Sequence, residues 1–124
     1  MSILNDTLSI ILTKQLDTCT LRQRVIANNI ANFNTPGFKK SEVSFQQQLK
    51  KALDDSHVKQ NNNLAELTPK IVQVKNTAMK ADGNNVDIDQ EMVNLATNTL
   101  LYRLATRVKS DKGNILSYVI KGGS

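Results

Sequence analysis

Residues 3–32 read ILNDTLSIILTKQLDTCTLRQRVIANNIAN and contain neither glycine nor proline. Apolar side chains recur through this segment every three or four residues, which is typical of an amphipathic helix. The positions on that face are Leu4, Leu8, Leu12, Leu16, Cys19, Gln23, Ile26 and Ile30. We therefore predict one helix, about 45 Å long at a rise of about 1.5 Å per residue, which needs a partner along its length.

The first helix is predicted to end in the segment that follows, NFNTPGF at residues 32–38. Pro36 prevents the helix from continuing, and it favours an extended conformation at Thr35. A Pro-Gly pair suits the two central positions of a type II turn, because glycine at the second position adopts the positive φ that the turn requires. We therefore divide the chain into an N-terminal helix at 1–33 and a middle segment at 34–85.

Little regular structure is predicted for the middle segment. Residues 41–54 are expected to contain a short amphipathic helix with Val43 on its apolar face, capped by either Ser41 or Ser44, and residues 54–63 a polar loop. Residues 70–75, KIVQVK, have the β-branched content of a short strand, and residues 77–80 could return as its hairpin partner. The middle is therefore predicted to hold a turn, a short helix and either irregular structure or a small β-hairpin.

A second long helix is predicted over residues 86–121. Asp87 is placed to cap its N-terminus, with Gln90 three residues later in a capping-box arrangement. The negative charges of Asp89 and Glu91 in the first turn stabilise the helix, because the N-terminal end of the helix dipole is positive. The fold class is therefore mainly α-helical, one domain with two long helices that pair as a coiled coil. The predicted interface positions are Leu4, Leu8, Leu12, Leu16, Ile26, Val93, Ala96, Leu100, Leu104 and Val108.

The two apolar faces cannot both be covered by so short a middle segment. We therefore expect the long helices to pair with each other, with other copies of the chain, or both. Aromatic residues make up only 4% of the 124 residues. Apolar surface that comes mostly from aliphatic side chains suits helix–helix packing better than a globular pocket.

Composition argues against several classes of function. The net charge is +5, but the basic residues are dispersed and do not alternate with aromatic ones, so nucleic-acid binding is disfavoured. Cys19 and His57 are the single cysteine and the single histidine, and the acids near Asp82 do not match a calcium-binding loop. No nucleophile–base pair or phosphate loop is visible. We therefore expect no enzyme activity, no cofactor and no small-molecule substrate, as well as no cleavable signal peptide and no membrane span.

Asparagines cluster around the end of the first helix, at Asn28, Asn29, Asn32 and Asn34. Two interpretations remain open. Their amides could bond across subunits and fix the register of assembly, or they could supply partners for the unpaired carbonyl groups at the end of the helix.

Two segments resemble the signatures of the flagellar basal-body rod and hook proteins. Residues 27–39, ANNIANFNTPGFK, are similar to the N-terminal pattern ANNIANANTPGYK, with Phe33 and Phe38 as the departures. Residues 83–96, GNNVDIDQEMVNLA, resemble the C-terminal signature of the family. The positions that carry the resemblance are Asn28, Asn29, Ile30, Asn32, Asn34, Thr35, Pro36, Gly37, Gly83, Asn84, Asn85, Val86, Asp87, Glu91 and Met92.

The resemblance implies a structural subunit of the rod that crosses the periplasm and helps to transmit torque. The chain lacks the long insertion of hook and distal rod proteins, which points to the proximal rod, with a subunit similar to FlgC as the alternative. The implied partners are FlgC and further rod proteins, FliE, the inner-membrane ring and the flagellar type III export apparatus, which exports such subunits without cleavage. Outside this family, the competing interpretation is a cytosolic helical adaptor or regulator whose basic surface binds an acidic partner.

Overall fold

A computed structural model describes residues 3–55, 64 and 66–120 of the chain, with side chains described for residues 7–54, 64 and 66–114. The elements, in chain order, are α1 (Ile3–Ala31), β1 (Ser41–Ser44), α2 (Gln46–Asp55), β2 (Lys70–Gln73) and α3 (Ile88–Ile120). A long helix lies towards each end of the chain, so the predicted, mainly α-helical fold class is confirmed. None of the described helices is both long enough and apolar enough to cross a membrane.

The helices α1 and α3 pack side by side and run antiparallel. They contain 29 and 33 residues, so each is about 45–50 Å long at a rise of about 1.5 Å per residue. Side-chain hydrogen bonds join the two helices at three levels, and the partner numbers fall along α3 as they rise along α1. The pairs are Ser9 with Lys112, Arg22 with Asn98 and Asn29 with Glu91.

The small apolar core of the middle segment packs against the first half of α1. Phe45, Leu49 and Leu64 are buried together there. Around them lie the partly buried side chains of Ile10, Ile11, Ala52 and Leu67. The short helix α2 therefore covers one part of α1, while α3 covers another.

Two predictions for the middle segment were wrong. Val43, expected on the apolar face of the short helix, lies instead in β1 (Ser41–Ser44), and the helix begins only at Gln46, closer to the second of the two predicted caps. The strand predicted near residue 70 exists, but it pairs antiparallel with β1, with Ser41 opposite Gln73, and residues 77–80 form no strand. The physical reason is that strand pairing depends on contacts distant in sequence, which local periodicity does not record. Most of the predicted polar loop, residues 56–63 with His57, lies outside the described residues.

Candidate assembly site

The first family motif forms a tight turn directly after α1. Gly37 has a φ of 74°, and the amide of Phe38 donates to the carbonyl of Thr35 at 3.2 Å. These are the features of a type II turn with Pro36 and Gly37 at its centre. The predicted turn is therefore confirmed.

The second motif forms another turn, which packs directly on the first. Gly83 has a φ of 84°, and its Cα region lies against the backbone of Gly37. The amide of Gly37 donates to the carbonyl of Asp82 at 2.9 Å, and the Lys39 ammonium donates to the carbonyl of Gly83. The two motifs, distant in sequence, thus meet in one contact between residues 28–41 and 82–91, which we call the motif junction.

Asn84 is the centre of the motif junction and is fully buried. Its Nδ2 donates to the carbonyls of Asn32 and Thr35, both at 2.8 Å. Its Oδ1 accepts from the amide of Val86 at 2.8 Å. A single amide group therefore satisfies two carbonyl groups of the first turn and orients the backbone that leads into α3.

Asn85 joins two further segments, the residues just before β1 and those just after β2. Its Oδ1 accepts from the amide of Lys40 at 2.7 Å. Its Nδ2 donates to the carbonyl of Val74 at 2.7 Å and to the hydroxyl of Thr77 at 3.0 Å. This side chain holds the chain on both sides of the small sheet against the second motif.

Asn29 performs a similar role on α1. Its Oδ1 accepts from the amide of Ser41 at 3.0 Å, and its Nδ2 donates to the Ser41 carbonyl at 2.9 Å. The same Nδ2 lies 3.2 Å from Oε2 of Glu91 in α3. The buried side chain therefore pairs with β1 much as a neighbouring strand would, and it also links α1 to α3.

The remaining motif residues are less buried. Asn32 donates to the carbonyl of Asn28 at 2.8 Å, and its Oδ1 accepts from the hydroxyl of Thr35 at 3.1 Å. This arrangement supports the interpretation that polar side chains satisfy the end of α1. Ile30 is partly buried and Val86 is buried, whereas Asn28, Asn34, Pro36 and Met92 are exposed.

Asp87 caps α3, as predicted. Its Oδ1 accepts from the amides of Asp89 and Gln90, at 3.0 and 3.2 Å. The Gln90 side chain donates forward to Asn94 at 3.0 Å instead of back to the capping residue. The cap is therefore present, but without the reciprocal bond of a capping box.

The predicted interface positions fall into two groups. On α1, Leu12 and Ile26 are buried, Leu16 is partly buried and Leu8 is more exposed, while the side chain of Leu4 lies outside the described residues. On α3 the predicted positions all face solvent. We call Val93, Ala96, Leu100, Leu104 and Val108 the outer face of α3.

A polar side chain occupies the centre of the contact between α1 and α3, which sequence reasoning missed. Asn98 is buried, and its Nδ2 donates to the carbonyl of Cys19 at 2.9 Å. Its Oδ1 accepts from Arg22 at 3.2 Å. Burial raises the pKa of the neighbouring Cys19 thiol above its ordinary value, although the Arg22 guanidinium acts in the opposite direction.

Comparison with known proteins identifies the family. The model of the flagella basal body rod protein family matches residues 20–39, the end of α1 and the first turn. Along nearly the whole chain, the FlgB rod protein of Borrelia hermsii is 37% identical over 87% of this chain and 91% of its own length. The FlgB rod protein of Bacillus subtilis is 35% identical, over 90% of this chain and 92% of its own. The chain belongs to the FlgB family of flagellar basal-body rod proteins.

Membership of the FlgB family gives the motif junction its context. The chain is a structural subunit of the rod in the flagellar basal body and not an enzyme. The family favours this function over the cytosolic adaptor that composition alone left open. Among the described residues, no group of acidic, histidine and cysteine side chains is arranged to hold a metal ion.

Proposed function

We propose that this FlgB-family subunit enters the proximal rod through the outer face of α3. The observation that carries the proposal is the exposure of large apolar side chains along one side of that helix. Leu100 and Leu104 are 68% and 62% exposed, and Val93 is 58% exposed. A contiguous stripe of exposed apolar side chains on a helix marks a surface that contacts another molecule, so this face fits a subunit contact.

The outer face is turned away from the intramolecular partner of α3. Glu91 and Asn98 are buried towards α1. Leu100 is nine residues after Glu91, and at about 100° per residue this places the two side chains on opposite sides of the helix. Because α1 occupies the polar side of α3, the more apolar side remains free for neighbouring subunits.

The proposed neighbours are those that the family resemblance implies: FlgC and further rod proteins on one side, and FliE with the inner-membrane ring on the other. A contact between two different surfaces need not close on itself, and it then extends as a helical array. Such an array would carry torque along the rod. We further propose that the flagellar type III apparatus exports the chain to the periplasm without cleavage.

Replacement of both Leu100 and Leu104 by Gln tests the proposal. Both side chains are exposed, so we expect the free energy of unfolding of the isolated chain to change by less than about 1 kcal/mol. Incorporation into purified basal bodies and swimming should both be lost, because the apolar contact between subunits is removed. The measurements are urea unfolding of the purified chain and immunoblotting of basal bodies from a strain that carries only the variant.

The matched control replaces Thr106 and Ser110 by Gln, since both are exposed polar residues of the same helix. This control should assemble like the wild type. Incorporation of the Leu100/Leu104 variant at the wild-type level would show that the outer face is not an assembly surface.

A further inference from the structure

A groove of about 550 Å³ runs between α1 and α3, on a different side of α3 from its outer face. Its lining includes Cys19 and Arg24 from α1, and Asn98, Tyr102 and Arg103 from α3. The groove therefore combines an aromatic ring with two guanidinium groups. That chemistry fits a segment in which a carboxylate lies next to an apolar side chain.

The two arginines of the groove have no acidic partner within the described part of the chain. The ion pairs there are Lys40 with Glu42 and Arg107 with Asp111. Arg24 and Arg103 are both exposed. Since the groove belongs to neither the motif junction nor the outer face, nothing in the described fold accounts for this concentration of positive charge.

The first turn of α3 carries the complementary surface. Asp89 is exposed, and its carboxylate takes part in no hydrogen bond or ion pair among the described residues. Val93, one helical turn later, is an exposed apolar residue of the outer face. A carboxylate and an apolar side chain four residues apart lie on one side of a helix.

These two surfaces cannot meet within one molecule. Asp89 and Arg103 are 14 residues apart on the same continuous helix, which separates them by about 21 Å at a rise of about 1.5 Å per residue. A second copy displaced along the helix axis by that distance brings the acidic turn of one molecule to the groove of the next. Because the two surfaces differ, such a contact extends instead of closing.

We propose that the groove receives the first turn of α3 from a second copy of the chain. Asp89 of one copy pairs with Arg24 and Arg103 of the other, and Val93 packs against Tyr102. This inference rests on the proposed function, since it takes the outer face as an assembly surface and names the site that its acidic end enters. The pairing also sets the direction of the array, because the first turn of each α3 lies beside Arg103 of the next copy.

Charge reversal tests the pairing. We expect Asp89→Arg and Arg103→Asp each to lower the amount of chain in purified basal bodies by at least about tenfold, because each places like charges together at the contact. The double variant, which restores opposite charges, should recover to within about threefold of the wild type. Matched controls are Glu66→Arg and Lys50→Asp, which reverse exposed charges outside both surfaces and should have no effect.

The outcomes separate this inference from the proposed function. Absence of the wild-type chain from rods would overturn both. Normal incorporation of the folded single variants would overturn the inference alone, and so would two defective variants that do not rescue each other, because the groove would then hold a different partner. Circular dichroism establishes folding. For any variant that does not fold, the neutral variants Asp89→Asn and Arg103→Gln replace it, and if the two side chains pair, the double variant should be no more defective than either single one.

Discussion

Buried asparagine amides organise this subunit around its two sequence motifs. Asn85 and Asn29 each use both the oxygen and the nitrogen of the amide on backbone groups of other segments. Asn84 bonds the first turn through its nitrogen and its own motif, at Val86, through its oxygen. An amide offers donors and acceptors on a short, uncharged side chain, so it can be buried without the cost of an isolated charge. Every fully buried side-chain polar atom of the described residues has a partner, which makes these contacts specific.

Asn84→Ala should destabilise the isolated chain strongly. The substitution leaves the carbonyls of Asn32 and Thr35 without the bonds they receive at 2.8 Å. Both carbonyls keep a backbone partner, but the substitution removes three hydrogen bonds in all, including the one from the amide of Val86. A hydrogen bond contributes about 0.5–1.5 kcal/mol net, so we expect a loss of about 2–4 kcal/mol in the free energy of unfolding. Urea unfolding followed by circular dichroism measures this change.

Asn34→Ala is the matched control, because Asn34 belongs to the same motif but is exposed and makes no side-chain hydrogen bond within the described structure. Its effect should stay within about 0.5 kcal/mol. Equal effects at the two positions would contradict the central role given to the Asn84 amide.

Sequence reasoning recognised these asparagines but not the bonds they make. The motif marked Asn29, yet nothing local indicates that its amide reaches Ser41 and a carboxylate 62 residues away. Glu91 was expected to stabilise the first turn of α3 through its charge, as an exposed acid would, but its side chain is only 2% exposed. A one-dimensional pattern assigns residue types to turns and helix ends, whereas long-range partners depend on how the segments pack.

The long helices themselves were predicted closely. The expected bounds of 3–32 and 86–121 compare with Ile3–Ala31 and Ile88–Ile120. The signals that end α1 and begin α3 are local, a Pro-Gly turn and a capping aspartate, so a single sequence contains them. The pairing of β1 with β2 and the side of α3 that faces α1 are not local. Apolar periodicity marks a face, but it does not say what covers it.

Substitution of alanine for glycine should have opposite effects on stability at Gly113, in α3, and at Gly37, in the turn after α1. Gly113 lies within α3 with open space around it, so Gly113→Ala should stabilise the chain by about 0.5–1 kcal/mol, the difference in helix propensity. Gly37→Ala also meets open space, but φ there is 74°, so we expect a loss of about 1–2 kcal/mol. Thermal unfolding and the far-ultraviolet helical signal measure both.

The two variants act as each other's control, since neither added methyl group has a described atom within 4 Å. Any difference in stability between the two variants then comes from the backbone conformation at each position. A stabilising Gly37→Ala substitution would show that the turn after α1 does not require a positive φ.

Packing is uneven along the subunit as a whole. Near the motif junction, side chains from α1, β1 and both turns surround the start of α3. Along residues 103–114 the described side chains are exposed, except for Ala105 and Lys112, which are partly buried. Regions with few buried contacts open at lower free energy than the rest of a fold. In the isolated chain, the C-terminal half of α3 should therefore be the part of the described structure that proteases cleave most readily.

Limited trypsin digestion of the isolated chain should cleave after Arg107 and Lys109 before it cleaves after Lys40. All three sites are basic, but Lys40 lies in the motif junction, where its side chain is only 13% exposed and its amide donates to Asn85 at 2.7 Å. Mass spectrometry of the early fragments gives the order of cleavage.

Cleavage after Lys40 first would contradict the uneven packing. Protection of the α3 sites in purified basal bodies, compared with the free chain, would show that assembly covers this half of the helix.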